Sequence, residues 1–197
     1  MTRLDLDSLL EKELDRDERL VWSDQPIPSR YARGVGFIWL FAIPWTAFAV
    51  FWTGGALWMG GQMQNDDGFF GLVRFVFPLF GLPFILVGLG MLSAPYWVRQ
   101  HARQTIYGIT DRRAIVLSKN WLMGLKVRSF RPAELKNIER QEFDDGSGTI
   151  TFYTRAWRDS DGDHRTDSLG FTAIPNVRQV EELLRAMVAT HENAASE

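Results

Sequence analysis

The chain has no cysteine, only three histidines, and two long stretches without a single charged residue. Without cysteine there is no disulfide, no Cys-ligated zinc, no iron–sulfur cluster and no thiol catalysis. His101, His164 and His191 stand far apart in sequence among charged residues, so each reads as a solvated side chain. No Gly-x-Ser-x-Gly elbow, phosphate-binding loop or dinucleotide fingerprint occurs. Asp159-Ser-Asp-Gly-Asp163, with Asp167 beyond, has the look of a calcium loop. Its glycine comes one position early and no glutamate closes it, so it reads as an acidic hairpin tip. No catalytic residue, metal ligand or cofactor is expected, and no nucleic acid as a partner.

The missing charges are more informative than the missing cysteines. Mean hydropathy is −0.14 and net charge −2, values of an ordinary soluble protein. Yet residues 34–65, a run of 32, contain no Asp, Glu, Lys or Arg, and neither do residues 75–98, a run of 24. An amphipathic helix in water carries charge on one face every turn or so. A bilayer core about 30 Å thick needs about 20 helical residues. Residues 34–60 and 69–97 are therefore predicted as two membrane spans, joined by the short polar segment Gly61–Gly68. Trp39, Trp52, Trp58, Tyr96 and Trp97 fall near their ends, as an interfacial belt would. Pro44, Pro78 and Pro83 would break a helix in water but are tolerated in a membrane. Two such helices buried in a soluble bundle would need amphipathic partners that the chain lacks.

Flanking charge orients the hairpin. Arg30 and Arg33 precede the first span, Arg99 and Arg103 follow the second, and the loop carries Asp66 and Asp67 without Lys or Arg. The positive-inside rule puts both termini in the cytoplasm, in a multi-pass protein of the cell (inner) membrane. The charged N-terminal stretch makes a cleavable signal peptide unexpected. Arg74, about one turn inside the second span, is expected to snorkel outward or pair with Asp66 or Asp67.

Three segments follow: an arm (1–33), the transmembrane hairpin (34–97) and a cytoplasmic domain (98–197). The arm holds eight acidic and six basic residues. Ser8 with Glu11 fits a capping box, and Leu9, Leu10 and Leu14 fit one apolar stripe. In the domain, Ile106–Ile109 and Ala114–Leu117 read as strands joined by a tight turn, Thr110–Arg113. Weaker strand signals lie at Lys126–Arg131 and Ile138–Phe143. Alternation at Thr149–Thr154 puts Ile150 and Phe152 on one face, and Leu169, Phe171 and Ala173 share another. After Pro175 the period becomes helical through Val177, Val180, Leu184, Met187 and Val188, with Asn176 and Gln179 as cap and partner.

Tyr107-Gly-Ile-Thr-Asp-Arg-Arg-Ala-Ile-Val116, directly after a hydrophobic hairpin, resembles the bacterial pleckstrin-homology (PH) domains of small membrane-anchored proteins. Phe130–Leu135, Asp145–Phe152, Gly170–Pro175 and, in the arm, Glu18–Trp22 extend the resemblance over most of the chain. It implies a transmembrane α-hairpin plus an α+β, mainly-β PH-like domain, its antiparallel strands capped by a C-terminal helix. It brings no catalytic residues. Phosphoinositide-binding members carry a longer basic motif around the first hairpin, where this chain has only Arg112 and Arg113, so no headgroup-specific cradle is expected.

Residues 99–131 hold eight Lys/Arg and one acid, Asp111, whereas residues 132–197 hold seven Lys/Arg and thirteen acids. Basic residues beside an anionic leaflet are worth about 1 kcal/mol each. Arg99, Arg103, Arg112 and Arg113 are accordingly the candidate lipid-headgroup contacts. The small residues Gly81, Gly88, Gly90 and Ala94 offer a surface for close helix approach, most simply by the first span. The leading expectation is a non-enzymatic, membrane-anchored interaction or scaffold module at the cytoplasmic face. Its partners would be the bilayer and a protein, or a second copy of itself. The alternative is an accessory or regulatory subunit of a larger membrane complex; a membrane-bound enzyme ranks below both.

Overall fold

The computed structural model describes residues 3–62, 69–120, 124–135, 137–158 and 164–196, with backbone only at 69–75, 77, 153–158, 164–168 and 194–196. The chain divides into two compact units. One combines Met1–Tyr31 with Arg99–Glu197, and the other is Ala32–Val98. The arm and the C-terminal segment, separated in sequence by the hairpin, thus fold together.

In the first unit, α1 (Arg3–Lys12) leads to β1 (Leu20–Asp24) and a one-turn helix α2 (Pro28–Tyr31). After the hairpin come β2 (Thr105–Thr110), β3 (Ala114–Asn120), β4 (Gly124–Phe130), a 3-10 turn at Pro132–Glu134, β5 (Glu139–Glu142), β6 (Gly148–Arg158), β7 (His164–Ile174) and α5 (Val177–Ser196). These form a four-stranded sheet, β1-β2-β3-β4, and a three-stranded sheet, β5-β6-β7. Every pairing is antiparallel. The expected run of short antiparallel strands closed by an amphipathic helix is present, with one strand more than the sequence pattern announced: β1.

The main core draws on both sheets and α5. Tyr107, Phe130, Ile150, Phe152, Phe171, Val180 and Leu184 belong to one buried cluster. Ile150 and Phe152 point inward as their alternation predicts, and Leu184 packs with them. Aromatic contacts organise it: the Phe152 ring meets Phe171 and Phe130 edge-on at 5.1 Å, and Tyr107 stacks on Phe171 at 4.8 Å. Such pairs add about 1 kcal/mol beyond area burial. A second cluster lies on the other face of the first sheet. There Leu6 and Leu10 of α1 cover Ile106, Ile115 and Leu117. Buried on both faces, β2 loses the polar alternation of a half-exposed strand, and all six of its residues are buried. Gly108 permits this contact, since a Cβ there would stand only 3.0 Å from a Leu10 methyl.

Two expected caps differ. Helix α1 begins at Arg3, and Ser8 lies within it, donating to the Asp5 carbonyl rather than capping an end. The apolar stripe therefore starts at Leu6, one turn earlier than the Leu9–Leu14 pattern suggests. Asn176 immediately precedes α5 but has φ of 48°, outside the extended backbone of an N-cap.

In the second unit, α3 (Gly36–Gln62) and the apolar part of α4 (Phe69–Ala102) are long and apolar enough to cross a membrane. Only 11% of the most apolar window of each is buried, so neither behaves as the core helix of a soluble fold. Where they touch, Gly81 lies against Thr53 and Gly88 against Thr46, and a Cβ at either glycine would collide with the threonine hydroxyl. Those hydroxyls donate back to the Ala49 and Ala42 carbonyls at 2.7 Å, which satisfies them inside the helix. Gly81 and Gly88 thus serve the contact between the two helices, whereas a Cβ at Gly90 would meet open space. The Trp45 indole donates to the Phe84 carbonyl at 3.2 Å. Asp66, Asp67 and the side chain of Arg74 lie outside the described residues.

Candidate functional site

The residues that carry the family resemblance, Tyr107–Val116, build a latch. Thr110 closes β2, and its hydroxyl accepts from the Arg112 and Arg113 amides, at 3.2 and 2.9 Å, which shapes the turn. This turn aims Arg113 back toward the arm. There Arg113 Nε donates to Glu18 Oε1 at 2.8 Å and Nη2 to Oε2 at 2.7 Å. Nη2 also donates to the Glu13 carbonyl at 2.8 Å. The Thr110 hydroxyl and the Asp15 amide complete the carboxylate's coordination. The Glu18 side chain is fully buried. Burial by itself pushes its pKa up; the hydrogen bonds from Arg113, Asp15 and Thr110, with the Arg113 charge, outweigh that and hold it at about 2. Arg19 and Asp111 continue the seam: the Arg19 amide donates to Asp111 Oδ1, and the Asp111 amide to the Arg19 carbonyl.

This geometry separates the four arginines singled out in the sequence. Arg99 and Arg103 are exposed at the C-terminal end of α4. Arg112 and Arg113 sit at the opposite end of β2, six residues or about 20 Å away. The arm delivers its acids to that far end: Glu13, Asp15 and Glu18 surround Arg113 and raise its pKa, Glu18's hydrogen bonds most of all. Arg112 is exposed beside Asp111. The basic surface implied by residues 99–131 is therefore not continuous.

A second latch joins α2 to the turn between β5 and β6. Arg30, a flanking charge in the sequence reading, is ion-paired with Asp145 and lies 5.2 Å over the Phe143 ring. Asp145 also accepts from the Ser147 hydroxyl at 2.6 Å; that bond foremost, then the Ser147 amide and Arg30, keeps its pKa below the usual range. The Ile27 amide donates to the Ala173 carbonyl at 2.7 Å.

Of the histidines, His101 stands 6.4 Å from the Tyr31 ring, His191 borders a groove beside Glu192 on α5, and the side chain of His164 lies outside the described residues. Asp159–Asp163 and the side chain of Asp167 lie outside them as well. Among the described residues no group of three metal-ligating side chains occurs. The groove at His191, about 590 Å³, lies between the Pro132–Glu134 turn and α5. A second, about 610 Å³, is lined in the hairpin by Trp45, Phe48, Trp52, Phe80 and Phe84 and is almost wholly apolar.

No protein-family model and no curated protein matches the sequence. Among solved structures, the chain aligns with the crystal structure of a DUF1696 family protein with a pleckstrin-homology domain from Shewanella loihica. Identity is 14% and the TM-score 0.29, over 43% of this chain and 70% of that one. A likeness this slight bears on neither fold nor function.

Proposed function

We propose that the protein is a membrane-anchored, non-enzymatic interaction module, a PH-like domain held at the cytoplasmic face of the cell membrane by an inserted two-helix hairpin. One observation carries the shared side of the chain's two ends. Strand β1, before the first apolar helix, is paired with β2, after the second, from Leu20↔Thr110 to Asp24↔Tyr107. A strand cannot pair through a bilayer, so the chain between them crosses an even number of times. Two apolar helices satisfy that condition if both cross. The arginines at the flanks, Arg33, Arg99 and Arg103, then favour the cytoplasm for both ends. The PH-like reading is supported by the four-plus-three strand order, by the closing helix α5 and by the Tyr107–Val116 string. The domain's work would be to contact lipid and to recruit protein partners or further copies of itself.

The absence of native cysteine makes the topology directly testable. Glu11→Cys and Thr190→Cys, both exposed positions, should resist an impermeant maleimide on intact cells, and Gln64→Cys should react. Labelling of only one of positions 11 and 190 would break the shared-side arrangement. Labelling of both, with position 64 protected, would invert it.

A further inference from the structure

Basic residues stand at both ends of the first sheet, and the chain's path tells the two groups apart. Helix α4 ends at Ala102, with the Arg103 amide bonded to the Arg99 carbonyl and the Gln104 amide to the His101 carbonyl. Two residues later the Gln104 carbonyl accepts from the Lys119 amide at 2.9 Å. The end of β3 is thereby tied to the end of α4. Lys119 faces Leu125 across the β3–β4 ladder, and Lys126 follows it opposite Ser118. Lys119, Leu125 and Lys126 are all exposed. Two acids reach this end, Asp24 and Asp7; both pair with Arg3, at 3.3 and 3.9 Å, and Asp24 also accepts from the Gln25 amide. Four exposed bases, Arg99, Arg103, Lys119 and Lys126, therefore stand at this end, where Asp7 and Asp24 are already paired with Arg3. At the other end of β2 the arm brings Glu13, Asp15 and Glu18 around Arg113, with Asp111 bonded to Arg19 beside them.

We propose that the Asn120↔Gly124 end of the β3–β4 ladder, Lys119 and Lys126 with Arg99 and Arg103, is the surface that docks on anionic lipid headgroups, and that the Arg112–Arg113 turn is not. The inference rests on the membrane anchoring proposed above. Attraction to a charged leaflet decays within a Debye length, about 8 Å at physiological ionic strength. A hydrogen bond to Gln104 keeps Lys119 next to the helix terminus however the domain tilts. The Arg112–Arg113 turn, about 20 Å along β2, has no such tether. Two of these four residues, Lys119 and Lys126, come into the site only through strand pairing.

The test uses the full-length chain in lipid nanodiscs, either neutral phosphatidylcholine or a mixture with anionic phosphatidylglycerol, both containing a lipid spin-labelled at the headgroup. A fluorophore is placed at Leu125→Cys, at Arg112→Cys or, as an insertion control, at Leu86→Cys with a lipid spin-labelled deep in the acyl chain. Quenching is expected at position 125 in anionic discs, weaker in neutral ones, and abolished as salt approaches about 1 M, where the Debye length is about 3 Å. Lys119→Gln with Lys126→Gln should lower the docked-to-undocked ratio roughly twenty-fivefold, taking about fivefold per base. Position 112 should stay unquenched throughout. Quenching at 112 exceeding that at 125, none at 125 at low salt, or equal quenching at 125 in neutral discs would each overturn the proposal. Position 86 reports separately: if it escapes the deep quencher, the hairpin is not inserted, and the anchoring falls together with the docking surface.

Discussion

Arg113→Ala is the sharpest test of how the arm is held. Glu18 has four hydrogen bonds, two of them from Arg113, and its side chain is fully buried. Removing the guanidinium leaves an unpaired buried carboxylate, a change that typically costs 3–5 kcal/mol. Most of that cost should fall on the docking of the arm, because Arg113 is the only described ion-pair partner of Glu18. Hydrogen exchange followed by mass spectrometry on the peptide spanning Leu20–Asp24, with the full chain in nanodiscs, reads the opening of β1 directly. Arg113→Ala should speed exchange there on the order of a hundredfold or more, at 1.4 kcal/mol per tenfold. Arg112→Ala, one residue away and exposed, should change it by about twofold at most. Replacing both partners, Glu18→Leu with Arg113→Leu, should recover much of the loss, since no charge is then stranded. Equal effects from Arg112→Ala and Arg113→Ala would refute the latch. So would a double variant as fast as the product of its singles.

The same carboxylate sets an acid limit. Its pKa is lowered from 4.5 to about 2, so it contributes about 3 kcal/mol above pH 4.5, and this is lost as pH falls through 2. Exchange in β1 should rise across that window in the native chain, and Glu18→Gln should remove this part of the pH dependence. Leu10→Ala, on the buried face of α1, should loosen the arm by about 2–5 kcal/mol, whereas Leu4→Ala, which is 79% exposed, should change exchange by no more than about twofold. In the main core, Phe152→Ala should lower the domain's thermal midpoint sharply, at a cost of 3–5 kcal/mol, and Thr151→Ala only slightly; equal shifts would mean that the β6 register is wrong.

Much of the fold was legible because it follows from local periodicity. Ile150 and Phe152 announce one buried face of β6, and the Val177–Val188 spacing announces α5, since period two and period 3.6 are properties of a few adjacent residues. Strand β1 carries no such pattern. It is five residues long and mostly half-buried, and only its pairing with β2 makes it a strand. Arg30 shows the same limit at the site. As a sequence feature it is a flanking charge, and only the approach of the Phe143–Ser147 turn makes it an anchor.

By itself, the sequence determines that two long stretches cannot face water as amphipathic helices do, that thiol chemistry is absent, and that short antiparallel strands end in a helix. These are statements about composition and near-neighbour spacing, which no later contact can alter. Tertiary structure alone decided that the arm belongs to the C-terminal domain, that Arg113 is committed to Glu18 ninety-five residues away, and that Lys119 stands beside the end of α4. The physical reason is that charge partnering depends on distance in space. Interactions between charges fade within about 10 Å, whereas chain connectivity says nothing about which distant acids will come within that range of a given base.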